Sequence, residues 1–248
     1  MIKKIFAIIV IIFISCDNTK VNSENIFRYN EYSNISSLDP VFSSTLRNIW
    51  PCNQIFNGLV RMDNNLNVVP DIAETWTVSA DKKTYSFKLK NGIYFHESEF
   101  FENGQSRNVN AYDFEYSFNR LIDNDVASPG AWVMNNVESF EAINDSIFEI
   151  HLDNEFNSFL EILTMKYCSV VPKEVVQSLG NSFSKKPIGT GPFKFKRWDE
   201  NIKLVLVKNE NYHEFDKSGK RLPYLDAIST RFIPDKKSEF MEFLSGNL

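Results

Sequence analysis

The chain has 248 residues, a formal net charge of −5 and 24% charged residues, with its lysines spread among acids rather than gathered into a basic stripe. That balance argues against nucleic acid as a partner, and the length allows one large domain or two small ones around a sizeable core. Phenylalanine is abundant, at 22 residues, and its positions follow strand and helix periods, which assigns most of it to the core.

Lys3 and Lys4 precede an apolar run from Ile5 to Ile14, which Ser15-Cys16 closes. The run is short for a bilayer span and has the layout of a signal peptide. Phe13-Ile14-Ser15-Cys16 resembles a bacterial lipobox. That resemblance implies a lipoprotein signal over residues 1–16, with Cys16 lipidated as the mature N-terminus. The other reading is an uncleaved N-terminal anchor with an incidental cysteine. Residues 17–24 are polar and read as a flexible tether. The expectation is a mature protein outside the cytoplasm, anchored to a membrane by lipid.

Beyond the tether, Ile26 to Tyr29 is a short strand candidate. At Ser37-Leu38-Asp39-Pro40 the chain turns, because proline fixes φ and Asp39 can bond its own backbone. Leu46, Ile49, Ile55, Phe56 and Leu59 follow a helical period through Pro51, which predicts a kink or a new helix starting there. Gly58 suits the helix end. Trp76 and Val78 share one side of a strand, and Asp81-Lys82-Lys83 makes a polar turn. Tyr85, Phe87 and Leu89 then alternate with Ser86, Lys88 and Lys90 until Asn91-Gly92. The two segments read as a hairpin.

Asn110 is a good N-cap with Asp113 in the first turn, and Phe114, Phe118 and Leu121 fall on one helix face. Ser128-Pro129-Gly130 breaks the chain. Ile147 to Leu152 alternates as a strand with Phe148, Ile150 and Leu152 together. Phe156, Phe159, Leu160 and Leu163 suggest an amphipathic helix, and Pro172 to Gly180 a short one. Gly189-Thr190-Gly191-Pro192-Phe193 is no phosphate loop, since no Gly-Lys-Ser/Thr follows and Pro192 lacks a donor. It reads as a sharp entry into a strand from Phe193. Ile202 to Val207 and the stretch ending at Phe232 are further strands, and Pro234-Asp235 opens a helix carrying Phe240, Phe243 and Leu244.

Nothing here has the pattern of an enzyme. His96, His151 and His213 lie far apart without a second ligand at metal spacing. His96 with Glu97 and Glu99 reads as a solvated acidic patch. Neither a Gly-x-Ser-x-Gly elbow nor a His-Glu-x-x-His helix occurs. No metal or other cofactor is expected. Cys52 and Cys168 are read as two buried free thiols, a bridge being the less favoured alternative.

Several of these segments together resemble the family 5 extracellular solute-binding proteins, the oligopeptide and dipeptide receptors of ABC importers. They are Leu38-Asp39-Pro40, Ala73 with Asp81, Thr84-Tyr85, Phe87 and Leu89-Lys90, then Tyr94-Phe95-His96, Asn110 to Phe114 with Tyr116 to Phe118, and the Gly189 to Phe193 turn. Glu97 to Arg107 departs from the pattern as an acidic, aromatic insert, and Glu210 stands where the family has a proline. The resemblance implies an α/β, periplasmic-binding-protein-like fold (class C, type II-like). In it a mixed-sheet first lobe, residues 25–56 and 168–248, holds an inserted smaller α+β lobe, residues 57–167. Ser245 to Leu248 resembles a segment where the family's chain continues, so a C-terminal third lobe, and with it tight closure on ligand, is expected to lie outside this chain.

As function, the resemblance implies a lipoprotein that binds peptides and delivers them to a membrane permease. Backbone hydrogen bonds to peptide are placed near Ser43, Ser44 and Thr45; the alternative is that these residues only cap the following helix. A receptor for another solute such as nickel, or a lipid-anchored surface interaction protein, are the rival readings.

Overall fold

In the computed structural model, which describes residues 25–248, β1 (Ile26–Glu31) leads through a 3-10 turn at Pro40–Phe42 into α1 (Leu46–Ile55). The signal, the lipidation site expected at Cys16 and the tether lie outside the described residues. A small hairpin of β2 (Val60–Met62) and β3 (Val68–Pro70) precedes β4 (Ala73–Val78) and β5 (Thr84–Leu89). Then come α2 (Ala111–Ile122), β6 (Val137–Asn144), β7 (Ile147–Leu152), α3 (Phe159–Leu163) and α4 (Lys173–Leu179). The chain closes with β8 (Phe193–Asp199), β9 (Lys203–Lys208), β10 (Ala227–Phe232) and α5 (Lys236–Leu244).

Two four-stranded sheets result. In one the order is β1-β10-β9-β8, with β1 parallel to β10 and the other pairs antiparallel, so among the described residues the first strand pairs with the last. The other is antiparallel throughout, β4-β5-β7-β6. The fold is α/β with a mixed sheet, as expected. Among the described residues no helix is long and apolar enough to cross a membrane.

Local causes are visible. In β5 the alternation buries Tyr85, Phe87 and Leu89, and in β7 it buries Phe148, Ile150 and Leu152. Against that face lies α2, whose start is a capping box: the Asn110 side chain accepts from the Asp113 N–H and the Asp113 carboxylate accepts from the Asn110 N–H. Phe114 and Phe118 from α2 meet Phe148 at 5.9 and 5.4 Å between ring centroids. The insert from Glu97 is tied down by Arg107, which stacks over Phe95 and Phe101 and forks to Asp113 and Glu174.

The structure revises four expectations. Of the two outcomes expected at Pro51, the new helix does not occur: Pro51 sits inside α1, where it costs one backbone bond, and is buried with Asn48, Cys52 and Ile55 on the inward face. Leu46 and Trp50 point outward instead, 67% and 50% exposed. Gly58 is three residues past the end of α1 and serves a close approach, since a Cβ there would stand 3.4 Å from the Cys168 carbonyl oxygen. The expected helix around Phe156 shrinks to the single turn of α3, with Phe156 outside it. Finally, α5 forms where Asp235 caps it, but Phe240, Phe243 and Leu244 stay exposed.

Candidate ligand-binding site

The turn after β1 is held from several sides. Asp39, 2% exposed, accepts from the Val41 N–H and takes both Nη groups of Arg120 in α2, the Nη1 contact being 2.8 Å. Asn48 in α1 donates to the Phe42 carbonyl (3.2 Å) and to Ser36 Oγ (2.9 Å). Ser128 Oγ donates to the Val41 carbonyl at 2.5 Å, and the Leu38 N–H donates to the Ser184 carbonyl at 2.9 Å. A bidentate guanidinium–carboxylate pair fixes orientation as well as distance. The segment that leaves the turn is therefore presented by a rigid base.

That segment holds the three residues singled out from sequence. Ser43 is buried, its N–H donating to the Pro40 carbonyl (3.1 Å), and its hydroxyl lies beside the Cys52 thiol, whose pKa it draws down against the larger effect of burial. Ser44 is exposed and donates its N–H to the Phe42 carbonyl (2.9 Å). Thr45 has strand-like backbone, φ −125 and ψ 151, and stands at the N-cap of α1. Its carbonyl accepts from the Asn48 and Ile49 N–H groups, but its side chain makes no cap bond. Among the described residues the Ser44 carbonyl and the Thr45 N–H have no partner. The two are the ends of one trans peptide group and point to opposite sides, so an extended peptide backbone lying along this segment can pair with one of them.

Behind Ser43 lies a cavity of about 510 Å³. Pro192 lines it, at the end of the Gly189-Thr190-Gly191 turn, which packs so closely on the end of α1 that a Cβ at Gly189 would lie 2.1 Å from the Ile55 carbonyl oxygen. His96 clamps the turn. Its N–H donates to the Gly189 carbonyl (2.7 Å), its Nδ1 accepts from the Gly189 N–H (3.3 Å), and its Nε2 is 2.9 Å from the Gly191 carbonyl oxygen. Since Nδ1 accepts, Nε2 carries the proton. Burial drives its pKa down to about 4, so the ring is neutral. His96 is thus a buried strut, not part of a solvated patch.

Thr190 Oγ1 donates to Asn57 Oδ1 (2.9 Å), and Asn57 Nδ2 donates to Asp71 Oδ1 (2.9 Å) and to the Tyr212 hydroxyl (3.4 Å). Asp71, 1% exposed, also accepts from the Gly58 N–H (3.1 Å); burial raises its pKa, opposed by the nearby Lys166. Lys166 has its own pKa lowered by burial, opposed by Asp71. Arg61 pairs with Glu214 at 2.9 Å. None of Asn57, Arg61, Asp71 or Lys166 was picked out from sequence, and Tyr212 only as the end of the Asn209 to Tyr212 stretch that resembles a family segment. The one local sign was Asp71, a lone acid between Val69-Pro70 and Ile72-Ala73.

The fold does give His213 metal-type neighbours, which its sequence spacing did not: ligand atoms of Asp71, His213 and Glu214 lie within 4.8 Å of one another. Burial first, then the charges of Lys90, Arg61 and Arg221, push the His213 pKa down to about 4. The same positive field opposes a divalent cation. His151 is a surface strand residue that meets Thr84 Oγ1 at 3.2 Å and Glu149 at 3.8 Å. Cys52 and Cys168 are free and buried, and burial pushes each thiol up to about 12.

The family profile described as bacterial extracellular solute-binding proteins, family 5 Middle, matches residues 67–248. The dipeptide-binding protein DppE of Bacillus subtilis (strain 168) is 26% identical over 251 residues, 94% of this chain and 44% of DppE. A probable di/tripeptide-binding protein 5 of Pseudomonas aeruginosa (strain UCBPP-PA14) is 30% identical over 211 residues, 77% of this chain and 38% of that protein. Among solved structures, the periplasmic binding protein DppA from Helicobacter pylori in complex with the peptide STSA superposes with a TM-score of 0.80 at 26% identity. That match covers 90% of this chain and 45% of DppA. The chain therefore spans less than half the length of these relatives, and it belongs to the bacterial extracellular solute-binding proteins of family 5.

Proposed function

We propose that this chain binds peptides outside the cytoplasm as part of the substrate-binding component of an ABC importer, which passes them to a membrane permease. The observation that carries this reading is the unpaired Ser44–Thr45 peptide group, between two exposed residues on a segment that Asp39, Arg120 and Asn48 hold in place, which leaves one backbone group free toward a peptide. Backbone groups are common to every peptide, so such an edge gives affinity without demanding a sequence. The peptide-binding relatives support the same ligand class. His96 is consumed in a structural clamp, which supports a reading of binding over catalysis. On this reading residues 25–56 and 168–248 form a first lobe around the mixed sheet, and residues 57–167 an inserted lobe around the antiparallel one. Cys16 carries the lipid that keeps the protein at the membrane.

The test is an NMR titration of the isotope-labelled chain with trialanine. The amide signals of Ser44, Thr45 and Leu46 are expected to move together and to saturate. Saturable shifts that bypass these residues, or none up to the solubility of the peptide, would overturn the assignment.

A further inference from the structure

Between β9 and β10 the chain runs out into a side hairpin, closed by a bridge between Phe215 and Arg221. Its tip, Asp216 to Arg221, holds three cations and one acid in a chain whose net charge is −5. The acid is spent inside the turn: Asp216 accepts from the Ser218 and Lys220 N–H groups (2.8 and 2.9 Å) and from the Tyr224 hydroxyl. The acids that adjoin the hairpin also have partners. Glu214 pairs with Arg61 (2.9 Å), Glu97 with Lys194 (2.9 Å) and Glu210 with Lys208 (3.6 Å), while Asp226 takes the Asn25 N–H (2.9 Å). Lys217 and Lys220 stay exposed, outside these pairs. Two aromatic rings flank the cations: Phe215, 53% exposed, lies under Arg221 at 4.5 Å, and Tyr224, 52% exposed, under Lys220 at 5.0 Å.

The topology puts this hairpin at the end of the molecule where the N-terminal segment enters. Because β1 is parallel to β10 and β10 antiparallel to β9, the start of β1, the start of β10 and the end of β9 share one end of the mixed sheet. Asn25, just before β1, accepts the N–H of Asp226, just before β10, at 2.9 Å. Cys16 stands nine residues before Asn25. A chain of that length spans at most about 30 Å, so a lipid on Cys16 keeps this end of the sheet, and the hairpin with it, beside the bilayer. The Ser44–Thr45 segment lies toward the opposite end. From it α1 runs back, and its last residue, Ile55, accepts the Gly191 N–H (2.8 Å) close to the start of β8, which pairs with the end of β9. Cations beside aromatic rings suit a bilayer interface, where the rings sit at headgroup level and the cations meet anionic lipid.

We propose that the hairpin from Phe215 to Tyr224 is a membrane-docking element, its lysines against anionic lipid headgroups and its two rings at headgroup level. For its placement the proposal rests on the reading of Cys16 as the lipid-bearing residue, and it goes beyond that reading. The lipid limits the distance to the bilayer; the hairpin sets the orientation. Docked this way, the mixed sheet stands on the membrane by the end that carries the tether, and the Ser44–Thr45 edge faces solvent, open to peptide.

The chain as made in the cell is reconstituted on vesicles of phosphatidylcholine alone and of equal parts phosphatidylcholine and phosphatidylglycerol, and amide hydrogen exchange is followed over the hairpin. On the anionic vesicles the Lys217 to Leu222 amides are expected to exchange several-fold more slowly than on the neutral ones, and salt at about 1 M removes the difference. Lys217→Glu/Lys220→Glu abolishes the protection without loss of fold, since both side chains are exposed. Lys236→Glu/Lys237→Glu, the same change of charge on α5 beyond the other end of β10, keeps it. Hairpin amides equally open on both vesicles, or protection that the two variants affect alike, would overturn the proposal. Vesicle flotation reads the lipid separately. A chain that leaves neutral vesicles but is protected on anionic ones removes the lipid from Cys16 and keeps the docking; one that stays on both with its hairpin open keeps the lipid and removes the docking. Protection by polyglutamate in place of anionic vesicles would make the partner an acidic protein and overturn the membrane assignment.

Discussion

His96 carries two roles that a single ring can combine only when it is neutral: Nδ1 accepts from the Gly189 N–H while Nε2–H serves the Gly191 carbonyl. A proton on Nδ1 turns that acceptor into a second donor facing a donor. The folded pKa near 4 lies below the ordinary 6.5, so the unfolded chain takes up the proton first. The stability contributed by the neutral ring is whole above pH 6.5 and drains away as pH falls toward 4. Between pH 7 and pH 4.5 the loss amounts to about 2 to 3 kcal/mol. Thermal unfolding across this range, compared with His96→Gln, is the check. The variant is less stable at pH 7 and falls less steeply on acidification; parallel curves would show that His96 does not titrate this way. His213, also held near 4, adds a slope of the same sign that both proteins share.

Between elements, the Asp39–Arg120 pair joins the turn after β1 to α2, 81 residues along the chain, with side chains 3% and 12% exposed. Arg120 also lies over the Phe183 ring, 5.8 Å from its centroid. Removing the guanidinium leaves a buried carboxylate without its counter-charge. Arg120→Met should therefore cost about 3 to 5 kcal/mol in denaturant unfolding. Adding Asp39→Asn to Arg120→Met should recover part of the loss, because the stranded charge disappears with it. A double variant less stable than Arg120→Met would show that Asp39 acts through its Val41 cap and not through the ion pair. Trialanine affinity of the double variant is expected to fall as well, since the turn that presents Ser44 and Thr45 has lost its anchor to α2.

At the scale of the whole molecule, one continuous core joins the two sheets: Phe87 and Phe148 of the antiparallel sheet belong to the same buried cluster as Leu204, Leu206 and Phe232 of the mixed one. Phe56 and Phe183, their rings 6.3 Å apart, belong to it as well. A shared core predicts that the sheets unfold together. Far-UV and near-UV circular dichroism should give coincident midpoints, and Phe148→Ala, which empties the centre of the Phe114–Phe118–Phe140 group, should lower both by the same amount, about 3 to 5 kcal/mol. Two separated transitions, with only one moved by the substitution, would mean the sheets are independent units.

The sequence by itself determined the local pieces. Alternation marked β5 and β7, Asn110 and Asp113 marked the start of α2, and the Gly189 turn marked the entry to β8, because each signal acts between residues a few positions apart. The order of such segments was also enough to identify the family. Where the local rule met a competing long-range contact, the reading failed. Pro51 is tolerated because the inward face of α1 is packed, and His96 is buried because the glycine turn, some 95 residues later, folds onto it. The cavity behind Ser43 belongs wholly to the tertiary structure. Its polar lining comes from α1's approach, the β2 strand, the turn before Tyr167 and the segment after β9, and nothing in the spacing of Ser43, Arg61, Lys166 and Tyr212 announces that they meet. The lining of a cavity is a property of which chain segments close around it, and only the folded chain decides that.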